Sequence, residues 1–165
     1  MKLNFSVLFI FLILFTSCNS STGSKSTAEA DSTTTSKGQI IHLTKETFRQ
    51  KVFDFDKREY KYNGEKPCIV EFFATWCGPC KMLSPELEEL AKDYSEKINI
   101  YKIDIDEEHD LAAILGISSI PAIFFFPQHG QPTRNEGFVP KASLDKAIHE
   151  LLLKNDTLHD NKRKI

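Results

Sequence analysis

The sequence predicts an α/β fold, with one mixed central sheet of about five strands and helices on both of its faces. Three observations carry that expectation. Apolar runs of strand length alternate with stretches of helical periodicity from Gln39 to Leu153. The run "CIVEFFA", Cys68 to Ala74, is apolar on successive residues, as in a strand covered on both faces. Finally, 165 residues with 41% hydrophobic side chains can bury one good core but hardly two.

In chain order, "IIHL" (Ile40 to Leu43) is a short first strand. Thr44 caps a helix in which Phe48, Val52 and Phe55 keep helical spacing, ending before "YNGEKP". Cys68 to Ala74 follows as the central strand, and its single charge, Glu71, is an anomaly. From Cys77 onward Leu83, Leu87, Leu90, Ala91 and Tyr94 form an apolar stripe, so Cys77 stands at a helix start and Pro85 is expected to kink that helix. Ile98 to Ile105 is the next strand. A short helix follows with Leu111, Ile114 and Leu115 inward and Gly116 as its stop. Ala122 to Phe126 is a strand, "PQHGQP" a turn and "RNEGF" a short edge strand. Leu144, Ala147, Ile148, Leu151 and Leu152 mark a final amphipathic helix.

The ends read differently. Residues 1–17 look like an export signal: Met1 and Lys2 give a positive start, and Leu3 to Phe15 is apolar but shorter than the ~20 residues of a comfortable membrane span. "FTSC" resembles a bacterial lipobox, although Phe15 sits where leucine is usual, which makes Cys18 a candidate lipid-attachment site. An ordinary cleaved secretory peptide and an uncut anchor are the alternatives. All three place the domain in the periplasm or cell envelope. Residues 18–38 are rich in Ser, Thr and charged groups and cannot offset their ordering entropy, so a flexible tether is expected. The folded domain is expected over 39–154, and 155–165 is a polar tail. A net charge of -2 provides no basic surplus for a nucleic-acid partner.

The chemistry concentrates in "EFFATWCGPCKM". Cys77 and Cys80 are too close to tie distant parts of a fold together, yet can reach one another across a helical turn. A bare CxxC is weak evidence, because zinc sites and turns share it. "WCGPCK" at a strand-to-helix junction, "ISSIPAIFFF" about forty residues later and a closing "GFVPKASLDKAI" are far more specific. Together they resemble thioredoxin over nearly the whole of Gln39 to Leu153. With the export signal, the chain looks most like exported thioredoxins of the Bacteroidetes type.

That resemblance implies a thiol-disulfide oxidoreductase. Cys77 would be the nucleophile, active as a thiolate stabilised at a helix N-terminus, and the more buried Cys80 would resolve the mixed disulfide. Glu71 falls where the family keeps a buried acid, usually aspartate, that accepts the Cys80 proton through water. Lys102 matches the lysine beside that acid, or is simply a strand lysine reaching solvent. Pro121 matches a cis proline facing the CxxC, which leaves neighbouring backbone free to pair with an extended substrate. Trp76, Ile120 and Gly137 would border the substrate groove, and Gly78 and Pro79 would shape its turn. The implied partners are disulfide-bearing proteins, an unidentified envelope electron donor and, through Cys18, a membrane; a monomer is expected. No cofactor beyond the Cys77–Cys80 dithiol is implied. Cys68 reads as a buried small hydrophobe, with a regulatory thiol as the alternative. The five histidines match no metal spacing and read as solvated surface.

Three other functions compete. A thioredoxin-fold binding or chaperone-like module would not need an intact CGPC. A disulfide-introducing oxidase usually replaces Gly-Pro. A cytochrome-maturation reductase usually carries an insertion before the next strand, and "KDYSEKIN" leaves no room for one.

Overall fold

The structure is a computed structural model that describes residues 38–154. The export signal at 1–17, Cys18, the tether up to 37 and the tail at 155–165 with His159 lie outside the described residues.

Five strands form one sheet in the order β1-β3-β2-β4-β5. They are β1 (Ile41–His42), β2 (Cys68–Phe73), β3 (Asn99–Asp104), β4 (Ala122–Phe126) and β5 (Thr133–Glu136). β1 and β2 both run parallel to β3, whereas β4 runs antiparallel to β2 and β5. This is the thioredoxin fold, a five-stranded mixed sheet between helices. The two parallel pairs require crossovers, which are supplied by α1 (Lys45–Lys51) and α2 (Gly78–Asp93).

Period-two alternation in the buried strands divides the core. On one face Ile69, Ile100, Ile123 and Phe125 meet Leu83, Leu87 and Leu90 of α2 and Leu144, Ile148 and Leu152 near the C-terminus. On the other, Val70, Phe72, Ile103 and Phe126 meet Phe48, Val52 and Leu111. Glu71 shares the α2 face with Ile69, so its carboxylate enters an apolar layer.

Several local expectations shift. α1 has a capping box, in which Thr47 N–H donates to the Thr44 hydroxyl and Thr44 N–H donates to that of Thr47, but it ends at Lys51. Phe55 therefore lies beyond it, and its ring still stacks on Phe48 at 6.4 Å. In α3 (His109–Ile114) the buried face is Leu111 and Ala112, while Ile114 is half exposed. Leu115, just past the helix, packs only partly against this cluster, and Gly116 (φ +64°) turns the chain away as expected. β5 ends before the predicted "GF", where Gly137 takes φ +86°. α2 continues through Pro85 to Asp93. The last helix begins as α4 (Lys141–Ala147) and becomes π-helical over Ile148–Leu153. The strands expected at Ile40 to Leu43 and Ile98 to Ile105 are trimmed at their ends.

Candidate active site

Cys77 is the N-cap of α2: its backbone is extended, Gly78 opens the helix, and Pro79 falls in the first turn where a missing N–H breaks no helical bond. Cys77 and Cys80 are joined in a disulfide, with S–S 2.02 Å and Cα–Cα 5.3 Å. The Cys77 Sγ also accepts the backbone N–H of Cys80 at 3.2 Å. That N–H and the positive end of the α2 dipole thus face the sulfur that would carry the charge once the bond is reduced. The expected contrast in burial is small. Cys77 is 4% exposed and Cys80 2% exposed, because Phe73, Ile105 and Ile120 pack against the pair from neighbouring loops and strands.

The flanks assemble around this junction. The Ile120–Pro121 peptide bond is cis, and the Pro121 carbonyl accepts the Gly137 N–H at 2.8 Å. The β4–β5 ladder, which pairs Ala122 with Glu136, brings these two loops together, and Gly137 takes its left-handed φ without a Cβ penalty. Among the described residues, neither the N–H nor the C=O of Ile120 takes part in a backbone–backbone hydrogen bond. Trp76 is 66% exposed, and its Nε1–H donates to the Asp106 carboxylate at 2.7 Å. Sequence reading missed Asp106. The available signal was an indole donor that needs an acceptor, together with the acidic "DIDEEHD" at the end of a parallel strand. A Cβ placed on Gly78 would meet nothing within 4 Å, so space alone does not demand glycine there.

Behind the disulfide, the β2–β3 register sets Glu71 opposite Lys102. Glu71 is fully buried and Lys102 nearly so. Nζ lies 3.0 Å from Glu71 Oε2, an ion-pair distance, yet neither carboxyl oxygen receives a well-aligned hydrogen bond. The ammonium instead donates to Ser84 Oγ at 2.7 Å and sits 4.5 Å from the centre of the Phe73 ring. Burial pushes the Glu71 carboxyl above its ordinary 4.5, and the Lys102 charge offsets only part of that rise.

A stability prediction follows from that direction. Folded Glu71 holds a proton more tightly than the unfolded chain does, so stability falls as pH rises from about 4.5 through its raised midpoint. In Glu71→Gln this decline is expected to disappear from urea-unfolding midpoints measured across that window. An unchanged slope would show that the folded carboxyl is already ionised there.

Two further sequence readings can be placed. Cys68 is fully buried and its thiol is pushed up to about 12 by desolvation, as suits an inert hydrophobe. His42 and His149 are exposed but engaged: His42 meets the Phe73 ring edge-on, and His149 Nε2 lies 2.9 Å from the Tyr94 hydroxyl. Among the described residues, no group of three or more His, Cys, Asp or Glu side chains could hold a metal ion.

Comparison with known proteins agrees with this geometry. The thioredoxin family model matches residues 39–150. Over 111 residues the chain is 42% identical to the thioredoxin of Borreliella burgdorferi, covering 67% of this chain and 95% of that protein. It is 41% identical over 103 residues to the chloroplastic M-type thioredoxin of Spinacia oleracea, spanning 62% of this chain but only 57% of that one. Among solved structures, chloroplastic thioredoxin z aligns with a TM-score of 0.58 at 32% identity, over 68% of this chain and 93% of that one. A redox disulfide at a strand-to-helix junction, the five-stranded sheet and these matches lead to one assignment: the chain belongs to the thioredoxin family of protein-disulfide oxidoreductases, which need no cofactor.

Proposed function

We propose that this thioredoxin is a reductant of protein disulfides in the cell envelope, held as a monomer to a membrane through Cys18 and recharged by an envelope electron donor. The observation that carries the reductant reading is the Cys77–Cys80 pair at the N-terminus of α2. The envelope reading rests on the apolar Leu3 to Phe15 run and "FTSC".

In the proposed cycle the Cys77 thiolate attacks one sulfur of a substrate disulfide, and the other substrate sulfur leaves as a thiolate. The unpaired backbone of Ile120 beside Pro121 offers hydrogen bonds to an extended substrate segment, with Trp76, Gly78, Pro79 and Gly137 along its path. Glu71 then takes the Cys80 proton, by way of water. The Cys80 thiolate attacks Cys77, the bond to the substrate breaks, and the second substrate sulfur departs with its electron pair. Two electrons have passed to the substrate, and the Cys77–Cys80 bond stores their loss.

Cys80→Ser tests both parts of this reading. It retains the attacking thiol and removes the resolving one, so partner proteins are expected to accumulate as reductant-sensitive adducts in the envelope fraction. Adducts confined to the cytoplasmic fraction would overturn the location. No adducts beyond those of the Cys77→Ser, Cys80→Ser double variant would overturn the reductant assignment in favour of a binding module.

A further inference from the structure

Ser84 lies one turn beyond Cys80 on α2. Its hydroxyl donates to the Cys80 carbonyl at 3.2 Å and accepts the Lys102 ammonium at 2.7 Å. The two roles are compatible, since a hydroxyl has one donor and two acceptor lone pairs, and an ammonium can only donate. Lys102 in turn stands 3.0 Å from Glu71. Polar contacts therefore run without a break from Glu71 on β2, through Lys102 on β3 and Ser84 on α2, to the backbone of the resolving cysteine.

Nothing in the packing of α2 asks for a hydroxyl at this position. Alanine is the better helix former, and a serine that bonds back to the preceding turn weakens a helix slightly. The effect on Lys102 is specific. Its hydrogen bond goes to Ser84, and Glu71 receives charge at close range without an aligned donor. A cleft of about 350 Å³ opens onto Ser84 and Lys102. His42 from β1 and Glu88 and Lys92 from α2 also line it and are the other titratable groups facing this cluster.

We propose that Ser84 is a positioning residue for disulfide exchange: it draws the Lys102 ammonium away from a full hydrogen bond with Glu71 and tethers it to the Cys80 turn, which keeps Glu71 basic enough to deprotonate Cys80. The inference rests on Glu71 being the proton acceptor, as proposed above. Ser84 and Lys102 exchange neither protons nor electrons in the step. The proton moves from Cys80 to Glu71, the Cys80 electron pair forms the bond to Cys77, and the Cys77–substrate bond breaks towards the departing sulfur. Without the hydroxyl, the ammonium turns to Glu71, stabilises the carboxylate and makes it a weaker base.

The test uses the reduced full chain and the aromatic disulfide dithiobis-nitrobenzoate in stopped flow. Capture by Cys77 releases a first coloured thiolate and resolution by Cys80 a second. In the wild type the second phase is expected to rise with pH through the Glu71 midpoint. In Ser84→Ala that midpoint is expected to move down by about one pH unit, the lower end of what a neighbouring cation does to a carboxyl, with a lower plateau and an unchanged first phase. Ser84→Thr, which keeps a hydroxyl, is expected to restore the wild-type midpoint. A Ser84→Ala midpoint equal to that of the wild type overturns the inference whatever happens to the plateau, as does a Thr variant that shifts like the Ala variant. Glu71→Gln separates the two layers. If it retains the wild-type pH profile, Glu71 is not the acceptor and both readings fall; if it loses that profile while Ser84→Ala keeps it, only the role of Ser84 falls.

Discussion

Replacing Cys77 with serine is expected to reduce turnover of a disulfide substrate to the uncatalysed background while the protein stays folded. Serine cannot form the mixed disulfide, and its hydroxyl carries no appreciable anion near neutral pH. Cys80 is no substitute, since it lies one turn inside the helix, whereas the Cys77 sulfur sits at the N-cap, where a backbone N–H and the helix dipole favour its thiolate. The structural cost is small because Cys77 is the N-cap of α2, a position at which serine is among the preferred residues. Insulin reduction driven by dithiothreitol, read alongside far-ultraviolet circular dichroism, measures both halves of the expectation. Turnover above background in a folded Cys77→Ser protein would place the chemistry at another group.

The second large effect concerns stability. Phe48 is fully buried and is the ring on which the α1 side of the core converges, with Phe53, Phe55, Phe72 and Phe126 centred 5.4, 6.4, 6.4 and 6.1 Å away. Truncation to alanine removes that ring from between a helix, a loop and two central strands, which cannot all close on the gap. Phe48→Ala is expected to cost about 3–5 kcal/mol, the range for large-to-small changes in rigid cores. Domains hold only about 5–15 kcal/mol in total, so the denaturant midpoint should fall steeply. A loss under about 1 kcal/mol would mean that the aromatic cluster repacks freely.

These expectations draw unequally on the sequence. The order of elements was legible because each buried strand is a run of apolar residues and α2 carries its stripe at helical spacing. Glu71 stood out because a charge within such a run is costly unless it has a purpose. What stayed hidden depends on which residues meet across the sheet. The partnership of Glu71 with Lys102 was reached only through the family resemblance, because it follows from a register between strands separated by a whole helix and no local pattern encodes it. Asp106 and Ser84 looked like ordinary surface and helix residues until the fold brought an indole to one and an ammonium to the other. Ile114 misled through periodicity, since a six-residue helix can satisfy an apolar spacing without having enough core to cover it.

The three-residue separation of the disulfide has a consequence for how redox poise and folding are linked. In the chain-entropy description so short a ring restrains the unfolded chain by only about 2 kcal/mol, against nearly 5 for a loop of a hundred residues. Folding and reduction form a thermodynamic cycle, so whatever a disulfide adds to stability must reappear in its reduction potential. Here little is available to pass between them. A core lesion such as Phe48→Ala is expected to burden the oxidised and reduced proteins alike and to leave the potential where it was. A change at the N-terminus of α2 acts on the thiolate directly and moves the potential, and the cycle then requires the reduced and oxidised proteins to differ in stability by the equivalent amount. Core packing thus sets the stability that both redox forms share, and the N-terminus of α2 sets the difference between them.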